Sequence, residues 1–168
     1  MRKLLFELGG TKAVAEMHDD AVPKTCDAIW DILPVEGMSI HANWSSREIM
    51  LHLQGDKLLR LPAEEPPRRS TAVGDIVFFY RSPQMSRGKQ LAYSSQFQRE
   101  LSEFAIFYGD PAAGDLIAHD PARDGSDSNL QVSTLFATFV DLPKDFREKC
   151  EEIRHHGLQK LVVKRLAE

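Results

Sequence analysis

The segment 39-SIHANWSSREIMLHL-53 alternates between apolar and polar residues along much of its length. Ile40, Ala42 and Trp44 fall on one side of an extended chain, and the apolar residues after the two serines continue the alternation. This period of two is typical of strands that are buried on one face. The segment therefore predicts two antiparallel strands joined at the serine pair, in a register that places Ala42 opposite Ile49.

The other face of this hairpin is polar and carries the candidate site. The predicted register places Asn43 opposite Glu48, with His41 beside them and opposite Met50. A histidine next to a carboxylate can relay protons or coordinate a metal ion. A polar face is also the ordinary solvated side of an antiparallel hairpin, so both interpretations stay open.

The sequence on both sides of the hairpin predicts more strands and two helices. A helix is predicted from Val22 to Leu33 by apolar residues at spacings of three and four, and a second over 143–156, ended by Gly157. Many strands with only two separated helices favour a barrel or sandwich over a parallel α/β sheet. The further predicted strands cover residues 3–8, 12–17, 76–80, 103–108, 132–140 and 158–166.

Length and composition indicate one folded domain over residues 1–168. The chain is 42% hydrophobic and 27% charged, which is enough apolar material for a core and enough charge for a solvated surface. Two stretches, 81–100 and 110–130, are polar or rich in Gly, Asp and Pro, and are predicted to be loops or insertions.

Charge and hydropathy exclude two classes of partner. The formal net charge is −4, whereas a nucleic-acid binder usually presents a basic face. No stretch approaches the roughly 20 apolar residues of a membrane span, and the first apolar run ends at Glu7, too short for a signal peptide. We therefore expect a cytoplasmic protein without a nucleic-acid or membrane partner, in which Cys26 and Cys150 are reduced and partly buried.

Several short motifs, taken in order, resemble cyclophilins. The run 20-DAVPKT-25 resembles the cyclophilin segment that opens the first helix after the first hairpin, and 135-LFATFV-140 resembles the late strand before the last helix. The segments 40-IHANWSSRE-48, Gly74-Asp75 and 107-FYG-109 are similar to a cyclophilin-like family of bacterial proteins of unknown function. This resemblance covers most of the chain except 81–100 and 110–130.

The resemblance implies a mainly β fold, a closed antiparallel eight-stranded barrel with two capping helices. It also implies a groove along the 39–52 hairpin and the strand that carries Phe104 and Tyr108. The chain departs from the cyclophilin pattern where isomerase activity requires it, because Ala42 follows His41 in place of an arginine. The Gln-Gly-Gly triplet of the cyclophilin groove has no counterpart here either.

The leading hypothesis is a non-catalytic module that binds a small ligand or peptide in this groove. One alternative is a divergent prolyl isomerase that uses Arg47, and another is an enzyme of a different class that uses His41 and Glu48. A structural role as a homo-oligomer subunit is a further possibility. The candidate groove residues are His41, Asn43, Trp44, Arg47, Glu48, His52, Phe104 and Tyr108.

No cofactor or metal site is predicted. The six histidines form no zinc-type pairing with the two cysteines, and the aspartates at 120, 124 and 127 lack the spacing of a calcium-binding loop. No phosphate-binding glycine motif and no nucleophile elbow is present.

Overall fold

The described part of the protein forms a closed eight-stranded antiparallel barrel with two helices, as the sequence predicts. The computed structural model describes residues 1–42, 47–61, 65, 72–81, 100–109 and 131–167. The strands run in the order β1-β2-β7-β5-β6-β4-β3-β8, and β8 pairs with β1 to close the barrel. The predicted loops or insertions at 81–100 and 110–130 lie outside the described residues, apart from residues 81 and 100.

The strands and helices follow the predicted segments closely. The helices are α1 (Pro23–Ile32) and α2 (Lys144–His156), and a 3₁₀ turn covers Gly55–Lys57. No helix in the described part of the chain is long and apolar enough to cross a bilayer. The strands are β1 (Lys3–Leu8), β2 (Thr11–Met17), β3 (Val35–His41), β4 (Glu48–Leu53), β5 (Asp75–Arg81), β6 (Leu101–Phe107), β7 (Gln131–Asp141) and β8 (Gln159–Arg165).

The two helices lie at opposite ends of the barrel. Helix α1 follows the end of β2, and α2 follows the end of β7. Because β2 and β7 are antiparallel neighbours, their final residues point to opposite ends, which we call the α1 end and the α2 end. Each helix closes its end with fully buried side chains, Ile29 from α1 and Phe146 from α2.

Aromatic rings fill much of the barrel interior. Phe104 packs against Phe136 with ring centroids 5.0 Å apart, and Phe6 meets Phe139 edge to face at 5.2 Å. Phe104, Phe136 and Phe6 are fully shielded from solvent. Aromatic pairs in such geometries add stability beyond the area that they bury.

Strand β6 is buried on both faces. One face contributes Phe104 and Ile106 to the interior core, and the other contributes Ala105 and Phe107 to a smaller apolar cluster outside the barrel. The polar residue Glu103 lies on this outer face and is completely buried. A carboxyl group in such a place needs polar partners, and its contact with His52 is described below.

Helix α1 is capped by a residue distant in sequence. The backbone N–H groups of Lys24 and Thr25 donate to the carboxylate of Glu65 at 3.0 and 2.6 Å. The first N–H groups of a helix lack partners within the helix, and a carboxylate there also faces the positive end of the helix dipole. The cap therefore ties the start of α1 to the segment after β4.

Candidate functional site

The register of the β3–β4 hairpin differs by one residue from the predicted one. Ile40 pairs with Met50 and His41 with Ile49, whereas the prediction paired His41 with Met50. Because successive side chains alternate between faces, this shift moves His41 to the face of Ile49, which points into the barrel. The prediction of a shared polar face containing His41 and Glu48 is therefore wrong.

The pairing of β3 with β8 explains the difference. Among the described residues, strand β3 has a ladder of five residue pairs with β8 and of two with β4, so β8 contributes more to fixing which side of β3 faces inward. Ser39 faces inward in spite of its polarity, because its hydroxyl donates to the carbonyl of Gln159 at 2.7 Å. The alternation within the hairpin alone carries no information about this second partner.

Inside the α2 end, His41, Tyr108 and Glu151 form a hydrogen-bonded chain. The Nε2 atom of His41 lies 2.7 Å from the Tyr108 hydroxyl, which donates to Oε2 of Glu151 at 2.5 Å. Tyr108 is only 1% exposed, and its ring meets the His41 ring edge to face. Strand β3, the residue after β6 and helix α2 thus each supply one member of a partly buried polar cluster.

The hydrogen-bonded chain of His41, Tyr108 and Glu151 has too few hydrogen atoms to fill all its contacts when the imidazole is neutral. The Nδ1 atom of His41 lies 2.8 Å from the carbonyl of Ala42, so three contacts run from that carbonyl to Glu151. A neutral imidazole and one phenol provide two hydrogens, and an ionised carboxylate provides none. Protonation of His41 supplies the third hydrogen, which links the cluster to pH.

Burial and neighbouring charges set the ionisation of the cluster. Burial lowers the pKa of His41, and the nearby cations Arg154 and His155 act in the same direction, against the Ala42 carbonyl and Glu151. Burial raises the pKa of Tyr108, and its hydrogen bond to the Glu151 carboxylate raises it further. The phenol therefore stays protonated at any physiological pH.

Glu151 remains ionised because cationic and donor groups surround it. Burial favours its neutral form, but the Tyr108 and His155 hydrogen bonds and the positive charges of Arg47 and Arg154 lower the pKa below the usual range. Arg47 Nε lies 3.5 Å from Oε2, while Arg154 Nη1 and His155 Nε2 lie 3.7 and 3.3 Å from Oε1. The cluster is therefore buried at Tyr108 and reaches solvent through these cationic groups.

Three of the remaining groove candidates, Glu48, His52 and Phe104, lie away from this cluster. Glu48 and His52 lie on the outer face of β4, and His52 Nε2 is 3.3 Å from Oε2 of the buried Glu103. Phe104 lies in the interior core and cannot line a surface groove, so that expectation is wrong. Asn43 and Trp44 lie outside the described residues.

The two cysteines are free and buried, as predicted. Burial raises the pKa of the Cys26 thiol to about 12 and that of the Cys150 thiol well above its ordinary value. Since the thiolate is the nucleophilic form, neither cysteine is suited to nucleophilic chemistry. Within the described segments, no group of three or more His, Cys, Asp or Glu side chains is placed to hold a metal ion.

Of the eight predicted groove residues, the structure thus brings His41, Arg47 and Tyr108 together. Sequence reasoning missed Glu151, the group that joins them. Glu151 lies in the middle of a predicted helix rich in charged residues, where its spacing of four from His155 indicates only an ordinary surface pair. No local signal in the sequence shows that the turn of α2 around Glu151 lies against Tyr108.

Comparison with known proteins gives a family and a fold. The model of a family described as "Protein of unknown function (DUF3830)" matches residues 4–164. No curated protein sequence matches the chain.

Two solved structures are similar over nearly the whole chain. The hypothetical protein AF2241 from Archaeoglobus fulgidus is 15% identical with a TM-score of 0.53, over 98% of this chain and 95% of that one. McbB, solved in complex with tryptophan, has the same identity of 15% and TM-score of 0.53 over 98% of this chain but 45% of McbB. At this identity the similarity shows the fold alone.

Proposed function

This chain belongs to the DUF3830 family, whose description assigns no function, and we propose that it is a binding module for a small polar ligand or short peptide. The proposed site is the α2 end of the barrel around His41, Arg47, Tyr108 and Glu151. The observation that carries the proposal is the convergence of these four groups, from three different parts of the chain, at one barrel end.

The composition of this cluster suits binding. Ligand sites combine aromatic surface with a few convergent polar groups that fix orientation. Here hydrogen bonds hold Tyr108 and Glu151 in place, and the Arg47 side chain, which is 39% exposed, lies beside Glu151. A ligand that carries carbonyl or carboxylate oxygens can accept hydrogen bonds from this guanidinium.

The same geometry argues against catalysis by these groups. Both ring nitrogens of His41 already contact oxygens of the protein, so the imidazole is not directed at a substrate. The pKa of Tyr108 is raised by burial, which removes the phenolate as a base or nucleophile. A general base needs a pKa near the working pH and access to the proton that it removes.

The resemblance of the sequence to cyclophilins supports this location. In cyclophilins the hairpin equivalent to 39–52 contributes to the proline-binding groove. A distant relationship to that fold family, in a chain that has lost the arginine after His41, agrees with binding in the absence of isomerase activity. This relationship is part of our proposal.

Divergent prolyl isomerase activity is the second candidate, and one observation favours it. The guanidinium of Arg47 lies 3.5 Å from the Glu151 oxygen that also accepts the hydrogen bond of Tyr108. Prolyl isomerisation has a barrier of about 18–20 kcal/mol, and a guanidinium can stabilise the twisted amide. The charge of Arg47 is partly neutralised by Glu151 at 3.5 Å, which weakens this role and favours binding.

The setting of the protein is also part of the proposal. Free, buried thiols are typical of a reducing cytoplasm, where disulfides rarely persist. The net charge of −4 favours a small-molecule or peptide partner over a nucleic acid. We retain a single domain and possible self-association as predictions.

An NMR titration of the ¹⁵N-labelled protein tests the binding site. The probes are a blocked Ala-Pro peptide and a set of small carboxylates and amides. We expect saturable shifts of the Arg47 Nε resonance and of the backbone resonances of His41 and Tyr108. The Arg47→Gln variant should bind at least tenfold more weakly, because it loses a charge-assisted donor.

Arg60→Gln is the matched control, since it removes the same charge from an exposed arginine that pairs with Glu100 away from the cluster. Equal affinity in the two variants would contradict a site at Arg47. So would saturable shifts that leave His41 and Tyr108 unmoved, or the lack of any saturable shift with every probe.

A further inference from the structure

The α1 end of the barrel contains a concave site that is separate from the proposed groove. It lies between the start of β1, the last turn of α1 and the end of β8, and it encloses about 670 Å³. Sites for small molecules occupy about 300–1,000 Å³. Its wall combines the guanidinium groups of Arg2 and Arg165 with the apolar surfaces of Trp30 and Leu166.

Arg2 is held rigidly in the wall of this pocket. Its Nε and Nη2 atoms donate to one oxygen of Asp19 at 2.8 and 2.6 Å, and Nη2 also reaches Asp27 at 2.9 Å. The backbone N–H of Arg2 donates to the second oxygen of Asp19 at 2.8 Å. These contacts fix the guanidinium 5.2 Å from the centre of the Trp30 ring.

Arg165 is held by the last turn of helix α1. Its Nε and Nη2 atoms donate to the carbonyl oxygen of Trp30 at 3.1 and 2.6 Å. That carbonyl belongs to the last turn of α1, where it also accepts a long hydrogen bond from the backbone N–H of Leu33 at 3.4 Å. The guanidinium lies 5.3 Å from the Trp30 ring centre, so both arginines flank the same indole.

Both arginines keep donors that the fold does not use. A guanidinium has five N–H donors, two of them on Nη1. In residues 1–42, 47–61, 65, 72–81, 100–109 and 131–167, no acceptor contacts Nη1 of Arg2 or of Arg165. Arg165 also pairs with no carboxylate in those segments, so its charge is not neutralised there, in contrast to that of Arg2.

Structural roles account for only part of this arrangement. Capping the end of α1 occupies Nε and Nη2 of Arg165, and the ion pairs with Asp19 and Asp27 occupy Nε and Nη2 of Arg2. Neither role requires a cavity of ligand size beside the unused donors. Two preorganised guanidinium groups next to apolar surface are suited to an oxyanion that carries an apolar body.

We propose that the α1-end pocket binds a small organic carboxylate with an aromatic or other flat apolar body. The carboxylate oxygens accept hydrogen bonds from Nη1 of Arg165 and of Arg2. The apolar body lies against Leu166 and the exposed part of Trp30. The pocket does not depend on the groove at the α2 end, so either site can exist without the other.

The test is a titration of the full chain with 1-naphthoate, followed through the indole N–H resonances. The chain has two tryptophans, and the resonance of Trp30 is identified by its loss in Trp30→Phe. We expect a saturable shift of the Trp30 resonance with naphthoate. The neutral analogue 1-naphthalenemethanol should bind at least about tenfold more weakly, since it offers no anion to the guanidinium groups.

Variants on β8 separate the anion site from a general change of charge. Arg165→Gln should weaken naphthoate binding at least about tenfold. Lys160→Gln removes the same charge from the same strand, at a residue that pairs with Glu36 outside the pocket, and should leave binding unchanged. Arg165→Lys keeps the charge but loses the planar, forked arrangement of donors of the guanidinium, and should bind with intermediate affinity.

Three results would overturn the proposal. They are the absence of a saturable Trp30 shift at millimolar naphthoate, equal binding of the neutral analogue, and unchanged affinity in a folded Arg165→Gln protein. The thermal transition of each variant shows whether it is folded. If Arg165→Gln does not fold, Arg165→Lys decides, because undiminished binding in that variant contradicts recognition by the fork.

Discussion

The two ends of the barrel contain similar polar groups but use them differently. At the α2 end, His41, Tyr108 and Glu151 bond to one another inside the protein, and the chain is one hydrogen short when His41 is neutral. At the α1 end, Arg2 and Arg165 keep unused donors beside a cavity of about 670 Å³. The difference separates a hydrogen-bonded cluster whose ionisation responds to pH, with the partly exposed Arg47 beside it, from two guanidinium groups whose Nη1 donors lie beside a cavity. The predictions below test each end against the other.

The largest effect is expected where helix α2 closes its end. Phe146 is fully buried, and its ring lies 5.6 Å from that of Phe139. Phe146→Ala should lower the free energy of unfolding by about 3–5 kcal/mol, because it removes the ring and leaves a cavity. Urea unfolding at neutral pH measures this change. The exposed Glu148→Ala on the same helix should change little, and a similarly small loss for Phe146→Ala would contradict our description of this end.

The second-largest loss of unfolding free energy is expected when the Tyr108 hydroxyl is removed. Tyr108→Phe leaves Glu151 without its buried donor and His41 without its partner, so we expect a loss of about 1.5–3 kcal/mol. Tyr80→Phe is a matched control, because the Tyr80 hydroxyl also donates to a glutamate, Glu100, from a ring that is less buried than that of Tyr108. Urea unfolding should show a clearly smaller loss for Tyr80→Phe. Equal losses would mean that the burial of Tyr108 adds nothing to the value of its hydrogen bonds.

The α2 end should make stability depend on pH. The pKa of His41 is lowered in the folded protein, mainly by burial, so the unfolded chain binds more protons just below the ordinary value of 6.5. The stability from neutral His41 is therefore full above about pH 6.5 and is lost as pH falls through the folded pKa. The groups facing the ring are Tyr108, the carboxylate of Glu151, the guanidinium of Arg154 and the imidazole of His155.

Unfolding curves of the wild type and of His41→Gln between pH 7.5 and 5 isolate this effect. The wild type should lose more stability on acidification than the variant, because only the wild type titrates at this position. A parallel decline in both proteins would show that other groups cause the pH dependence. A steeper decline in the variant would reverse the direction that we assign to His41.

The smallest effect is expected at the α1 end. Asp27 is 70% exposed at its side chain and shares Arg2 with Asp19, so Asp27→Asn should hardly change stability. The same substitution removes a negative charge near the pocket and should strengthen naphthoate binding roughly two- to fivefold. Asp56→Asn, in the 3₁₀ turn, is the control. Weaker binding in Asp27→Asn would show that Asp27 is needed to position Arg2.

The elements could be predicted from the sequence because each carries its own pattern, whereas the closed barrel was predicted from the resemblance to cyclophilins. The strands show alternation or continuous apolar runs, and the apolar stripe of α1, which includes Cys26 and Ile29, has helical spacing. Both kinds of pattern arise from contacts that every member of an element makes with the same core. The predicted ends of the elements differ from the structure by only a few residues.

The site could be predicted only in part, because its geometry depends on contacts between distant segments. His41 and Tyr108 are identified by sequence, but Glu151 joins them from a helix 43 residues beyond Tyr108. The hairpin register was wrong because β8 fixes the inward side of β3. The α1-end pocket forms where the start and the end of the described chain meet, and no motif marks such a meeting.

The rate of exchange between the cis and trans forms of a blocked Ala-Pro peptide, measured with and without the protein, tests the central claim of binding without catalysis most directly. Uncatalysed exchange takes roughly 10–100 s at 25 °C, so NMR exchange spectroscopy detects acceleration readily, and a cyclophilin serves as the positive control. Our account predicts shifts at Arg47 and His41 while the exchange rate stays at the uncatalysed value. Acceleration that is lost in Arg47→Ala but kept in Arg60→Ala would contradict it and identify the α2 end as an isomerase site.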